Sequence, residues 1–200
     1  MEDGSLDRAA LARLRQDLAR YQSVLPSLEM KRRQLTDEVG EARRRLAALD
    51  LERERALDHA ARRVPMAAGL ESLPPLRVTS VRVVHESRYG LSLPGVEDVS
   101  VSRGGEPGFL SSPVWTDEWF EHARGLVILG VQEQVERIRL HRLEGALVKT
   151  VRRVHLFERV LIPQAQSRIR RIVVGISDAG RDALVRARHA KRHGRAGRTA

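Results

Sequence analysis

The sequence predicts a mainly α-helical protein. Two long arms, N-terminal and C-terminal, pair as an antiparallel two-helix coiled coil, and a small middle region contains a β-hairpin and a short helix. Only 4% of the 200 residues are aromatic, while Arg, Ala, Leu and Glu dominate both ends, a composition typical of long helices. With the heptad patterns described below, this divides the chain into an N-terminal arm (1–65), a middle insertion (66–125) and a C-terminal arm with a basic tail (126–200).

The N-terminal arm carries a heptad repeat whose two inner columns are apolar or aromatic at eleven of twelve positions, with Arg32 as the exception. Six such heptads predict a coiled coil, because a repeat of about 3.5 residues keeps one stripe facing a partner helix. Pro26 lies inside the periodic run, so we expect a kink or break between Ser23 and Pro26. The predicted seam consists of Leu11, Leu14, Leu18, Tyr21, Leu25, Leu28, Leu35, Val39, Leu46 and Leu49.

The middle insertion differs from the two arms in its residue pattern. VTSVRVVHES and VEDVSVS alternate between polar and apolar residues and are rich in β-branched side chains, and RYGLSLPG between them supplies turn residues. These features predict a β-hairpin over residues 77–103. The following segment, SSPVWTDEWFEHARG, predicts a short helix whose aromatic residues Trp115, Trp119 and Phe120 form a small local core.

The C-terminal arm shows a second heptad pattern, from near Gly125 to about His189. Its frame holds Leu140, Leu147, Val154 and Leu161 before Pro163, and Ala165, Ile172, Ala179 and Ala183 after it. The seam therefore shifts phase at Pro163. Because the two arms have comparable lengths, we expect them to pair within one chain, with residue 20 near residue 170 and both termini at one tip.

Charge is concentrated in the C-terminal arm. The formal net charge is +10, and residues 126–200 contain 17 basic and 6 acidic residues. This surplus fits either a polyanionic partner or a solvated helical face. The chain has no cysteine, no apolar run near the roughly 20 residues of a membrane span, and an N-terminus unlike a signal peptide. We therefore expect a cytoplasmic protein without a direct membrane span.

No motif predicts catalysis, a metal or another cofactor. His189 and His193 have a metal-ligand spacing but no acidic companion, and SRGGEPG lacks the Lys-Ser/Thr ending of a phosphate loop. RARHAKRHGRAGR would contact phosphates non-specifically, yet nothing resembles a sequence-reading module, so nucleic acid is not the expected partner. The alternative interpretation from the residues alone is a coiled-coil scaffold or a basic nucleic-acid-associated protein.

One stretch, KTVRRVHLFERVLIP, resembles the signature of the D subunit of A-type and V-type ATPases. The matching residues are Arg152, Arg153, Val154, Leu156, Phe157, Glu158, Val160, Leu161, Ile162 and Pro163. His155 stands where the family usually has Asn. LPSLEMKRRQL is similar to a second family segment, matching at Leu28, Lys31, Arg32 and Leu35 but departing at Glu29 and Gln34, and RYGLSLPGV resembles a third.

The resemblance implies a non-catalytic central-stalk component, a rotor shaft that transmits torque between a nucleotide-binding hexamer and a membrane ring that moves ions. It also implies a location peripheral to the membrane. The implied partners are the catalytic and non-catalytic subunits of the hexamer, the small F subunit of the stalk and a membrane-side adaptor subunit. From the basic surplus, we expect Arg186, Arg188, Lys191 and Arg192 to contact the hexameric ring.

Overall fold

The computed structural model describes the backbone of residues 3–63, 75–104 and 115–196, and the side chains of residues 8–62, 75–104 and 116–189. In chain order the elements are helix α1 (Asp3–Arg63), strands β1 (Leu76–Arg88) and β2 (Leu91–Arg103), helix α2 (Trp115–Leu156), a π-helical turn (Phe157–Leu161) and helix α3 (Ile162–Ala196). Long helices at both ends of the sequence and an antiparallel hairpin between them confirm the predicted fold class. Within the described ranges, no helix could span a membrane.

The chain forms two compact units. The first combines Met1–Lys31 with Lys149–Ala200, and the second is Arg32–Val148. Helix α1 contributes to both units, so the packing divides the chain across the arms. The predicted domain boundaries at residues 65 and 125 are based on the change in residue composition along the sequence, and they stay a prediction.

The core of the second unit is built from three elements. Leu35, Val39 and Ala42 of α1 are spaced by four and three residues, which places them on one helical face. They pack with Leu143 of α2 and Leu93 of β2, and all five side chains are buried. The hairpin thus completes the core that the two helices share.

The hairpin turns at Tyr89 and Gly90, whose φ angles are 56° and 72°. Two consecutive residues in the left-handed region form the two-residue turn that matches the twist of antiparallel strands. The turn is shorter than RYGLSLPG suggested, because β2 already begins at Leu91 and includes Pro94. Proline is tolerated at the edge of a sheet, where its missing N–H removes no ladder hydrogen bond.

The base of the hairpin requires a glycine. The N–H of Gly104 donates to the carbonyl oxygen of Pro75 at 2.8 Å. A Cβ atom at position 104 would lie 2.9 Å from that same oxygen, which is closer than real Cβ contacts come. Gly104 therefore allows the chain to close the open end of the ribbon.

Helix α2 begins earlier than the predicted second arm. It runs from Trp115 without interruption through Gly125 and Gly130, so the expected short helix forms its first turns. Arg103 of β2 anchors this start, because its guanidinium lies 2.9 Å from the Asp117 carboxylate and 4.1 Å from the centroid of the Phe120 ring. Such anchoring offsets the roughly 1 kcal/mol that each glycine costs a helix.

The predicted aromatic core is present in the described residues of this region. Phe120 is buried and meets Trp119 edge to face, with ring centroids 5.1 Å apart. The side chain of Trp115, the third predicted member, lies outside the described residues.

Helix α1 continues through Pro26, so the predicted break is absent. A proline at this position removes one N–H donor, the one that would reach the carbonyl of Gln22. The hydroxyls of Ser23 and Ser27 donate to the carbonyl oxygens of Arg20 and Val24 at 2.9 and 2.8 Å. These bonds supply hydrogen-bond donors to two backbone carbonyls in the turns that precede the proline.

The phase shift predicted near Pro163 takes the form of the π-helical turn. The N–H of Ile162 donates to the carbonyl oxygen of Phe157, five residues back, where an α-helix would use four. This turn inserts one extra residue, so the less exposed positions advance in steps of four from Phe157 through Leu161 and Ala165 to Ile169. Val154 before the turn and Ala165 after it are both buried.

The predicted register between the arms is wrong. Tyr21 of α1 meets Phe157 edge to face, with ring centroids 5.6 Å apart, so residue 20 does not lie opposite residue 170. Among the described side chains of α3, Ile176 is the last that is half-buried, and every residue from Ser177 to His189 is exposed. Ala179 and Ala183, both predicted on the seam, are among them.

Candidate functional site

The family-like motif lies where α2 passes through the π-helical turn into α3. Val154 is its one buried member, and Phe157, Leu161 and Ile162 are half-buried. The exposed members are Arg152, Arg153, Leu156, Glu158, Val160 and Pro163. One side of the motif thus packs, while the other offers two arginines and the apolar Leu156 and Val160 to solvent.

Pro163 is the second residue of α3 and is separated from the π-helical turn by Ile162. A proline inside a regular helix lacks one N–H and its ring crowds the preceding turn. A turn widened by one residue changes which carbonyl faces the proline ring. His155 is exposed, and nothing in the structure explains why histidine stands there in place of the usual Asn.

The expected ring-contact residues lie on the terminal part of α3. Arg186 and Arg188 are exposed, whereas the side chains of Lys191 and Arg192 lie outside the described residues. Leu184 and Val185 beside them are 63% and 51% exposed. This part of α3 therefore presents both charge and apolar surface.

The predicted N-terminal seam faces inward along its whole length. Leu35 and Val39 are buried, and the other predicted members are half-buried: Leu11, Leu14, Leu18, Tyr21, Leu25, Leu28, Leu46 and Leu49. Arg32, the charged exception, is also half-buried, as expected for a long side chain whose stem packs on apolar neighbours.

A cluster of six charged residues joins the hairpin to the helices and was missed at the level of sequence. We call it the Glu38 cluster. Its members are Glu38 and Arg45 of α1, Glu86 and Arg88 of β1, and Glu136 and Arg139 of α2.

Glu38 is the centre of the cluster. Its side chain is only 4% exposed, and arginines from three elements surround it. Arg45 lies 3.4 Å away, Arg139 3.5 Å and Arg88 3.7 Å. A buried carboxylate needs such partners, because an unpaired charge in a protein interior is strongly destabilising.

The remaining contacts balance the charge of the cluster. Arg45 donates to Glu136 at 2.8 Å, and Glu86 lies 3.4 Å from Arg88 and 3.6 Å from Arg139. Partial burial alone would lower the pKa of Arg45, but the hydrogen bond and charge of Glu136, with those of Glu38, raise it overall. Arg45 therefore stays protonated and keeps its positive charge for the contacts with Glu136 and Glu38.

Further polar contacts hold β2 and α1 to α2. Arg142 of α2 donates to the carbonyl oxygen of Ser92 in β2 at 2.8 Å. Glu133, also on α2 and nearly buried, lies 3.3 Å from Arg53 and also pairs with Arg137. In the second unit, charged side chains thus flank the apolar core on more than one side.

Part of the Glu38 cluster could have been anticipated from the sequence. Glu38 is adjacent to the seam residue Val39, and Arg139 is adjacent to Leu140, so both positions border the predicted seams. The partners from β1 could not be anticipated, because nothing in the heptad pattern tells which side of the coil the hairpin covers. Among the described residues, no group of three or more His, Asp or Glu side chains is placed to hold a metal ion.

Comparisons with known proteins agree with this architecture. The family model for the ATP synthase D subunit matches residues 10–192. The D subunit of the V-type ATP synthase of Chlamydia pneumoniae is 30% identical over 172 residues, covering 82% of this chain and 80% of that protein. The protein of the same name from Borreliella burgdorferi is 23% identical over 189 residues, covering 93% and 92%. The chain belongs to the family of ATP synthase D subunits.

Proposed function

We propose that this protein is a non-catalytic central-stalk subunit of a rotary ATPase or ATP synthase. In this role it transmits torque between a hexameric ring of nucleotide-binding subunits and a membrane ring that moves ions. Membership of the D-subunit family supports the assignment to such a complex. The partners in this proposal are the catalytic and non-catalytic ring subunits, the small F subunit of the stalk and a membrane-side adaptor, in an assembly peripheral to the membrane.

The single observation that carries the proposal is the unpartnered end of α3. From Ser177 to His189 no side chain is even half-buried, although the segment includes Leu184 and Val185. A helix that leaves apolar residues uncovered needs a surface supplied by another molecule. A cavity inside a ring of other subunits would provide that surface.

Charge supports the same placement. Between residues 164 and 189 the chain has six arginines and two aspartates, and Arg186 and Arg188 lie on the exposed end. Acidic residues lining a ring cavity would attract such a helix. Because exposed ion pairs are individually weak, the charge would guide the helix while apolar burial holds it.

A shaft also has to be asymmetric, so that its faces press on successive catalytic subunits as it turns. The extra residue of the π-helical turn rotates the packed stripe of α3 relative to that of α2. The Glu38 cluster fixes the hairpin on one side of the second unit. Each feature makes the unit that contains it asymmetric.

The proposal is tested by reconstituting the full complex with a chain lacking residues 184–200. We expect weaker binding to the ring, or ATP hydrolysis that no longer drives ion movement, with the thermal unfolding of the isolated protein unchanged. A full-length Arg186→Gln/Arg188→Gln variant separates the loss of charge from the loss of length. Assembly and coupling that both survive the truncation would reject the proposal.

A second test addresses the alternative scaffold role. The tagged full-length protein is purified from its host at moderate salt, and its companions are identified by mass spectrometry and by nuclease sensitivity. Nucleotide-binding ring subunits are the expected companions. Recovery of nucleic acid without any ring component would favour a basic nucleic-acid-associated protein.

A further inference from the structure

Strand β1 is open to solvent to an unusual degree. Of its thirteen residues only Leu76 is even half-buried. Val78, Val81, Val83 and Val84 are each between 38% and 45% exposed. Since successive residues of a strand point to opposite faces, exposure of neighbouring valines means that both faces of β1 are uncovered.

The edge of β1 is open as well. Among the described residues the sheet has two strands, and β1 pairs with β2 alone. Proteins usually protect such an edge with a short strand, charged side chains, a proline or a bulge. Strand β2 carries Pro94 and packs on the core through Leu93. Strand β1 has no proline, and its single bulge residue, Thr79, which has no pairing partner on β2, lies near the start of the strand. From Ser80 to Arg88 no proline and no extra residue of β1 interrupts its edge, and its charged side chains are Arg82, Glu86 and Arg88.

The charge on β1 limits what could pair with it. The strand contains three arginines and one glutamate, with a formal charge of +2. Arg88 and Glu86 belong to the Glu38 cluster. Arg82 pairs with Glu97 of β2 at 3.8 Å, with the two side chains 70% and 51% exposed, and no described residue forms an ion pair with Arg77. Arg77 and Arg82 are therefore available to a partner.

A second copy of this chain is a poor match for that edge. Pairing β1 with β1 would bring two strands of +2 charge together, and like charges on neighbouring strands are destabilising. An acidic strand has the opposite property, because its carboxylates would face Arg77 and Arg82. Charge thus favours a different polypeptide over self-association.

We propose that the outer edge of β1 is a docking site for an extended, acidic segment of another protein, which adds to the hairpin as a third strand. The backbone of the segment completes the hydrogen bonds along Ser80–Arg88, its apolar residues cover the exposed valines, and its carboxylates pair with Arg77 and Arg82. This site is separate from the end of α3 and goes beyond the torque-transmitting role.

The test uses the full-length chain and a fluorescent peptide as long as Arg77–Arg88, with alternating valine and glutamate. Two matched probes are the same peptide with lysine replacing glutamate, and the acidic peptide N-methylated at alternate residues so that one edge lacks donors. Fluorescence anisotropy should show the acidic peptide binding about tenfold tighter than either control probe. Hydrogen exchange should slow at β1 amides when it binds.

Variants of the chain decide whether the contact is the one described. An Arg77→Glu/Arg82→Glu chain should no longer bind the acidic peptide and should bind the lysine peptide instead. The control is Arg170→Glu/Arg171→Glu, which changes two exposed arginines of α3 and should leave the preference for the acidic peptide unchanged. Absence of binding, equal binding of the N-methylated probe, or equal loss in both variants would overturn the proposal. The proposal would also be overturned if the chain bound no peptide but associated with itself and the Arg82→Glu substitution changed that self-association. In that case the edge of β1 would bind a second copy of this chain.

Discussion

Tyr21 and Phe157 meet edge to face, with ring centroids 5.6 Å apart and ring planes at 90°. Aromatic pairs in this arrangement contribute about 0.5–1.5 kcal/mol beyond the area they bury. The pair also sets which residues of α1 and of the C-terminal arm are neighbours in the first unit. Phe157 is the first residue of the π-helical turn, so the turn lies at the level of Tyr21.

Cross-linking tests this register directly, because the chain has no cysteine of its own. In a Tyr21→Cys/Phe157→Cys variant, a short bifunctional maleimide should link the two positions within one molecule. In Tyr21→Cys/Arg170→Cys it should not, since thirteen residues along a helix span about 20 Å. The measurement is the shift of the monomer band on a denaturing gel. Equal yields in the two variants would contradict the observed register.

Deletions test the role of the π-helical turn. Removing Arg159 takes away the extra residue and lets Ala165 and Ile169 follow Val154 and Phe157 in a regular heptad. Removing the exposed Arg152 instead would rotate the packed stripe out of place. In a Pro163→Ala background, we expect the Arg159 deletion to retain a melting temperature well above that of the Arg152 deletion. Equal losses would mean that the turn does not absorb a phase difference.

The Glu38 cluster should matter more than its distances suggest. Glu38→Ala removes the buried carboxylate that Arg45, Arg88 and Arg139 share and leaves them with Glu136 and Glu86 among their remaining partners. Because Arg139 is nearly buried, we expect a loss of about 3 kcal/mol in the free energy of unfolding, the low end of the range for breaking a buried pair. Arg43→Ala breaks a shorter contact, 2.7 Å to Glu144, but these side chains are 65% and 39% exposed, and the loss should stay below about 1 kcal/mol. Urea unfolding of both variants provides the comparison. A reversed order would show that burial does not govern these pairs.

The shared core can be tested at Leu143, which is fully buried against α1 and β2. Leu143→Ala should cost about 2–5 kcal/mol of unfolding free energy, because it removes apolar contacts and leaves a cavity. Val148→Ala on the same helix is the control, since Val148 is 48% exposed and should change stability little. Hydrogen exchange would show whether Leu143→Ala also loosens β2. Protection of β2 that stayed unchanged would argue against a core shared by all three elements.

Periodicity explains why much of the fold could be predicted. Heptads of apolar residues specify a helix and its buried face, so the seam from Leu11 to Leu49 was visible without coordinates. Alternating β-branched residues likewise indicated the hairpin. Register could not be obtained this way, because one heptad fits against another at many offsets. Only a specific contact such as Tyr21 with Phe157 selects one of them.

The charged residues were harder to interpret for a related reason. A glutamate beside a seam is usually a solvated flank of a coiled coil, and Glu38 becomes buried only because β1 and α2 bring arginines over it. Likewise, Ala179 and Ala183 continue the heptad pattern but are exposed, so periodicity alone overestimated how far the buried stripe extends.

The uncovered end of α3 also has a consequence for the lifetime of the protein. Arg181, Arg186 and Arg188 lie on a helical segment, 177–189, whose side chains are all exposed, and a short helix without packed side chains unravels readily in water. Enzymes that cleave after arginine would therefore remove this segment from a free chain. A chain whose α3 end is enclosed by a partner would resist them, so susceptibility to trypsin distinguishes orphan copies from assembled ones.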